Sequence, residues 1–199
     1  DALPISGAAP GSFIVNVTDD IPIADASATP ITVTVDEDGM KEPGDFSAGS
    51  DAGDTVSDED ASTGTELLSS LFVSGADEGL KSFGITTDQT ILNGLNSMGL
   101  TSGGNGLSYS SNGTVLTASN GANAVFTLTI TDPATGTWSF DLLDQLDHVA
   151  PPAGTADENT TLQGLGGSNI DLSSVLTATD YDDDTVTGAA PGSFIVNVT

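Results

Sequence analysis

Apolar and polar residues alternate over short runs in this chain, and glycine, asparagine, aspartate and proline separate one run from the next. Alternation with a period of two puts every second side chain on one face, the pattern of a half-buried strand. Residues 193–199 carry Phe194, Val196 and Val198 at that spacing, and residues 12–18 carry Phe13, Val15 and Val17. Ile31, Val33 and Val35 alternate with Thr32 and Thr34. Phe126, Leu128 and Ile130 share one face of residues 124–131, and Trp138, Phe140 and Leu142 share one face of residues 136–143, after an Asp132-Pro133 turn. Weaker runs at residues 107–110, 114–118 and 170–179 predict further strands, and Asn112-Gly113 between the first two predicts a hairpin. Thr63-Gly-Thr-Glu66 matches a capping box ahead of Leu67, Leu68, Leu71 and Phe72, so this stretch predicts either one short helix or another strand. Many Thr and Val residues and regular turn spacing together predict an all-β chain folded as an antiparallel β-sandwich.

A duplication cuts across this pattern. Residues 7–18 and residues 188–199 both read GAAPGSFIVNVT, twelve identical residues at an offset of 181. A period of that length is too long for a solenoid or a propeller blade and suits a string of whole domains. The chain therefore reads as one period of a tandem array, with residues 1–18 the end of a preceding repeat and residues 19–199 one full repeat. The letters also allow the opposite phase, with residues 12–18 opening the unit, and either one enlarged sandwich or two subdomains.

Charge narrows the functional classes. Among 199 residues there are 29 Asp and Glu against 2 Lys and Arg, a formal net charge of −27. Nucleic-acid binding and attachment to anionic membranes both need a basic footprint, and Lys41 and Lys81 do not make one. No apolar run approaches the roughly 18 residues of a membrane span. Cysteine is absent, which removes disulfides, thiol nucleophiles and thiolate metal sites.

The acids are clustered, and the clusters fall at strand ends. Two carboxylates about 4 Å apart repel by roughly 1 kcal/mol in water and about 4 kcal/mol at an effective dielectric of 20, so a compensating cation is expected where they crowd. A site built only of oxygen suits Ca2+, which takes six to eight such ligands in loose geometry. Magnesium demands a tighter octahedron, and zinc prefers nitrogen or sulfur. The leading candidate is Asp180-Tyr-Asp-Asp-Asp-Thr185, where Asp180, Asp182 and Asp184 occupy alternate positions as at the start of an EF-hand loop. The glycine and closing glutamate of an EF-hand are missing, so it reads as a calcium loop of another kind. Asp19 and Asp20 follow the duplicated strand, and Asp36, Glu37 and Asp38 close the next one. Asp77 beside Glu78, Glu158 beside Asp157, and Asp144 with Asp147 complete the candidate ligands.

Several segments resemble, in order, the extension repeats of type I secreted RTX-type bacterial adhesins. They are Val35-Asp-Glu-Asp-Gly-Met40, Ser74-Gly-Ala-Asp-Glu-Gly79, Leu100-Thr-Ser-Gly-Gly104, Val115-Leu-Thr-Ala-Ser119 with Val125-Phe-Thr-Leu-Thr129, the stretch from Gly136 to His148, the Asp180 loop and the junction SFIVNVTDDIP. The resemblance implies immunoglobulin-like sandwich units, calcium at or near the junctions, and an extracellular spacer that holds a terminal binding domain away from the cell surface, as in biofilm adhesion. Its partners would be the neighbouring repeats, each a monomeric module of the array. Where the family's loop is similar to Asp-x-Asp-Gly-Asp, this chain has Asp183 in place of the glycine.

No enzyme is expected. His148 is the only imidazole and no G-x-S-x-G elbow exists, so His148 reads as a turn histidine bonded locally. Trp138 lies on the apolar face of its strand and reads as core, not as a sugar platform. Against the spacer stand a glycan- or protein-binding adhesive module and a halophile-type acidic surface. Tandem near-identity favours the spacer over the first, and clustering of the acids at strand ends argues against the second.

Overall fold

The computed structural model describes residues 14, 21–40, 45–47, 61–75, 79–150 and 160–199. Along the chain come β1 (Ile23–Ala24), β2 (Ile31–Val35), β3 (Ala61–Thr63), β4 (Phe72–Val73) and β5 (Leu80–Ile85). A short helix α1 (Gln89–Gly94) follows, then β6 (Thr101–Ser102), β7 (Asn105–Gly106), β8 (Ser108–Ser111), β9 (Val115–Ser119) and β10 (Ala124–Asp132). The remaining strands are β11 (Thr137–Leu142), β12 (Asn169–Asp171), β13 (Leu176–Asp180), β14 (Thr185–Thr187) and β15 (Phe194–Val198). The strands form several sheets, antiparallel but for one pair, and among the described residues none closes into a barrel. No helix among them is long and apolar enough to cross a membrane.

The largest sheet has five strands in the order β3-β11-β10-β9-β8, all antiparallel. Its alternating residues bury Leu116, Phe126, Leu128, Trp138, Phe140 and Leu142. Two three-stranded sheets, β12-β15-β2 and β14-β13-β5, send Phe194, Val196, Ile31, Leu176 and Phe83 into the same core. Trp138 meets Phe194 edge-on at 4.8 Å, which joins the five-stranded sheet to the β15 sheet. Each such side chain contributes about 1.5–3 kcal/mol by leaving water. The indole N–H of Trp138 donates to the Glu66 carbonyl at 2.9 Å, and the residue is 1 % exposed, so it is core. A Cβ at Gly64 would lie 2.0 Å from the indole ring, so the chain needs a glycine where it crosses that face.

The Asn112-Gly113 hairpin forms as expected. The Asn112 side-chain oxygen accepts the N–H groups of Thr114 and Val115, and Ser111 pairs with Leu116 across the turn. Three expectations change. The capping box does not form: Thr63 belongs to β3, and a 3-10 turn (Leu68–Leu71) starts without a side-chain cap and runs into β4. Residues 170–179 are not one strand, because Leu172, Val175, Leu176 and Ala178 are all buried and no strand alternates that way. A 3-10 turn at Ser173–Val175 divides β12 from β13. The helix α1 has no counterpart among the predicted elements; Asp88 caps it by accepting the Thr90 N–H, and the turn that continues it ends at Gly99 with φ +65°. The helix buries only Leu92 and the turn after it Leu95, too few to stand out as a helical stripe.

Of the duplicated strand, the C-terminal copy is β15, the central strand of its sheet. It pairs antiparallel with β12 and parallel with β2. From the N-terminal copy only Ile14 is described, outside any strand and 73 % exposed.

Candidate metal centre

The Asp180 loop is built by a β-hairpin. β13 and β14 run antiparallel with Thr177 opposite Thr187 and Thr179 opposite Thr185, and residues 181–184 make the turn. Asp180 closes it from below: the Asp183 N–H donates to its carbonyl at 3.4 Å and the Asp184 N–H donates to its side-chain Oδ1 at 2.9 Å. Asp183 has φ +80°, and among the described residues it alone takes a positive φ without being glycine. This is the position where the resembling loops carry glycine. Aspartate tolerates the left-handed region better than most residues, so the turn survives the replacement. Lys81 of β5 pairs with the exposed Asp183 side chain, which raises the Lys81 ammonium above its usual value, through the hydrogen bond first and the charge second.

The turn gathers the three alternate acids. One carboxylate oxygen from each of Asp180, Asp182 and Asp184 lies within 4.8 Å of the others. Asp180 is fully buried, Asp184 half-buried and Asp182 exposed, so the trio runs from the core to the surface. The Asp180 Oδ2 is buried and has no hydrogen-bond partner. Desolvation, and then the adjacent Asp182 carboxyl, push the Asp180 acid above the usual carboxylate range, while the Asp184 N–H and, more weakly, the Asp182 N–H pull it back. A buried carboxylate oxygen left without a donor is costly, and a bound cation removes that cost. These three residues can hold a metal ion.

The other candidates are placed differently. Asp36 caps a 3-10 turn (Glu37–Gly39) by accepting the Asp38 N–H at 2.9 Å. Glu37 turns inward, where Oε1 accepts the Leu146 N–H at 2.8 Å and Oε2 lies 3.2 Å from His148 Nε2. Burial raises the Glu37 carboxyl above its usual value, against the pull of Leu146 and His148. Both Glu37 oxygens are thus engaged, and Asp36, Glu37 and Asp38 lie outside the acidic trio. His148 is tied to an element distant in sequence instead of bonding within its own turn, a contact no local pattern announces. Asp144 accepts from Ser47 and Asn120, and Asp147 accepts the Gly104 N–H, so both acids hold loops together. Asp19, Asp20, Asp77 and Glu158 lie outside the described residues. Neither a protein-family model, nor a curated protein, nor a solved structure matches the chain.

Proposed function

We propose that this chain is a calcium-stabilised extender repeat of a bacterial cell-surface adhesin, an extracellular link that stiffens a stalk. One observation carries the reading: Asp180 buries a carboxylate oxygen without a hydrogen-bond partner, and its carboxylate lies within 4.8 Å of those of Asp182 and Asp184. Its oxygen-only donor set suits Ca2+, and Asp180, Asp182 and Asp184 would hold the ion. Bound calcium would neutralise the crowded charge and fix the β13–β14 hairpin. An immunoglobulin-like sandwich is supported by the five-stranded antiparallel sheet sharing its core with the β15 and β13 sheets.

The duplication supports the array. Continuing the period beyond Thr199 would repeat the Asp-Asp-Ile-Pro that follows Thr18. The Thr199 carbonyl accepts the Glu37 N–H at 3.0 Å, so those acids would emerge beside Asp36 and Asp38. Calcium there would tie one repeat to the next. A protein secreted unfolded would then meet external calcium, and binding to the native loops alone stabilises folding by mass action. The test is small-angle scattering of a chain of several repeats in tandem. A larger maximum dimension in calcium than in chelator is expected; equal dimensions overturn the spacer reading.

A further inference from the structure

β15 fills a slot in its sheet. It lies between β12 and β2, and β15 uses both of its edges there: Asn169, Ile170 and Asp171 pair with Asn197, Val196 and Ile195, while Ile31 through Val35 pair with Phe194 through Val198. Phe194, Val196 and Val198 are each 0 % exposed. The strand is also pinned at both ends. The Gly192 N–H donates to Asp171 Oδ2 and the Phe194 N–H to Ser173 Oγ, both at 2.9 Å. At the far end the Thr199 N–H donates to the Val35 carbonyl at 3.0 Å.

Every residue that β15 and its flanks bring to these contacts recurs upstream, Gly192 as Gly11, Phe194 as Phe13, Val196 as Val15, Asn197 as Asn16, Val198 as Val17 and Thr199 as Thr18. Ile14, the counterpart of Ile195, stands outside any strand and 73 % exposed. We infer that residues 12–18 of one molecule occupy the β12–β2 slot of a second copy of this chain, displacing its β15. Because the two strands are identical, exchange conserves every contact in the slot, and only concentration and the entropy of linking two chains set the balance. Donor and slot are different surfaces, so the association is head-to-tail, closing into a dimer or ring where exchange is reciprocal and growing as an open chain where it is not. This inference is independent of whether the Asp180 loop binds calcium.

The test uses the full chain. Phe194→Asp disables the resident strand, Phe13→Asp disables the donor, and the double variant disables both. Phe194→Asp is expected to keep its β-sheet circular dichroism and to grow in mass with concentration by light scattering. Phe13→Asp should stay folded and monomeric, and the double variant should lose the fold. Phe194→Asp as unfolded as the double variant, or folded but monomeric at every concentration, overturns the proposal.

A second measurement leaves Phe194 intact. The chain has no cysteine, so Asn16→Cys on one molecule and Asn169→Cys on another report the exchanged register alone. After joint refolding from urea at high concentration, the mixed disulfide dimer should exceed that of an Asn16→Cys with Asn112→Cys pair by about tenfold. Equal yields overturn the proposal.

Discussion

Asp180→Asn separates a metal ligand from a residue that merely shapes a turn. The amide keeps one oxygen for the Asp184 N–H that Oδ1 accepts at 2.9 Å. Where the unpartnered Oδ2 stood it places an uncharged group. Without a divalent ion this exchange removes a buried charge crowded by Asp182 and Asp184, so the variant should melt at or above the wild-type temperature in EDTA. With calcium the order should reverse. A site at hundredfold excess over its dissociation constant adds about 2.7 kcal/mol to the folded state. For a chain of this size each kcal/mol moves the midpoint by about 2–4 °C, so wild type should rise by roughly 5–11 °C and the variant by much less. Thermal unfolding followed by circular dichroism, in calcium, in magnesium and in sodium chloride of matched ionic strength, reads the crossing and controls for screening. An equal rise in both proteins would place the ion elsewhere, and no calcium-specific rise in wild type would refute the argument outright.

Asp183→Gly should raise the melting temperature in EDTA, since it relieves about 1 kcal/mol of left-handed strain at φ +80° and gives up only an exposed pair with Lys81. Differential scanning calorimetry checks this, and a lower midpoint would show that the turn depends on the aspartate. Gly164→Ala should destabilise by about 2 kcal/mol or more, because its Cβ would lie 2.1 Å from the Gly99 carbonyl oxygen. Gly103→Ala, with φ +57° and open space around it, should cost only about 1 kcal/mol, and urea titration of both variants measures the difference. The half-buried Glu37 has its acid raised above the ordinary 4.5, so the native state holds that proton more tightly than the unfolded chain. Its contribution to stability therefore falls as pH rises from the ordinary value through the raised one. Glu37→Gln should flatten that slope while leaving His148 and Asp36 in place; urea midpoints measured across this range would count against the assignment if the two proteins ran parallel.

The strands that were legible are those with strict alternation, such as Ile31–Val35 and Phe194–Val198, because one buried face writes itself into every second residue. Residues 170–179 misled because the turn at Ser173–Val175 buries Ser173 and Val175 beside Leu172 and Leu176 and exposes only Ser174, which breaks the period. The Asp180 loop was legible for a different reason. Its three acids are local, so spacing alone brings them to one turn. Glu37 looked much the same in sequence, as one acid among neighbours. Its fate was decided by Leu146, 109 residues away, and by His148, neither of which leaves a trace near residue 37. A run of acids is therefore a weak signal by itself. What distinguishes Asp180 from Glu37 is whether the fold has already supplied donors for the oxygens it buries.

The acidic loop and the duplicated strand also lie in series along the chain. β14 leads from Asp184 into residues 188–192, and these lead into β15. The near end of that connection is fastened to the β13 side, where the Gly188 N–H donates to the Leu176 carbonyl at 2.8 Å and the Ala189 N–H to the Ser173 carbonyl at 2.9 Å. Its far end is fastened by Asp171, through the Gly192 N–H. Releasing β15 therefore requires the Asp171 clasp and the sheet pairings to open, while the β13–β14 hairpin that carries the three carboxylates stays whole. An ion on Asp180, Asp182 and Asp184 would bind equally well whether the slot holds the resident strand or a neighbour's. Metal-dependent stiffness and strand exchange thus draw on separate contacts, and a substitution that abolishes one should leave the other measurable.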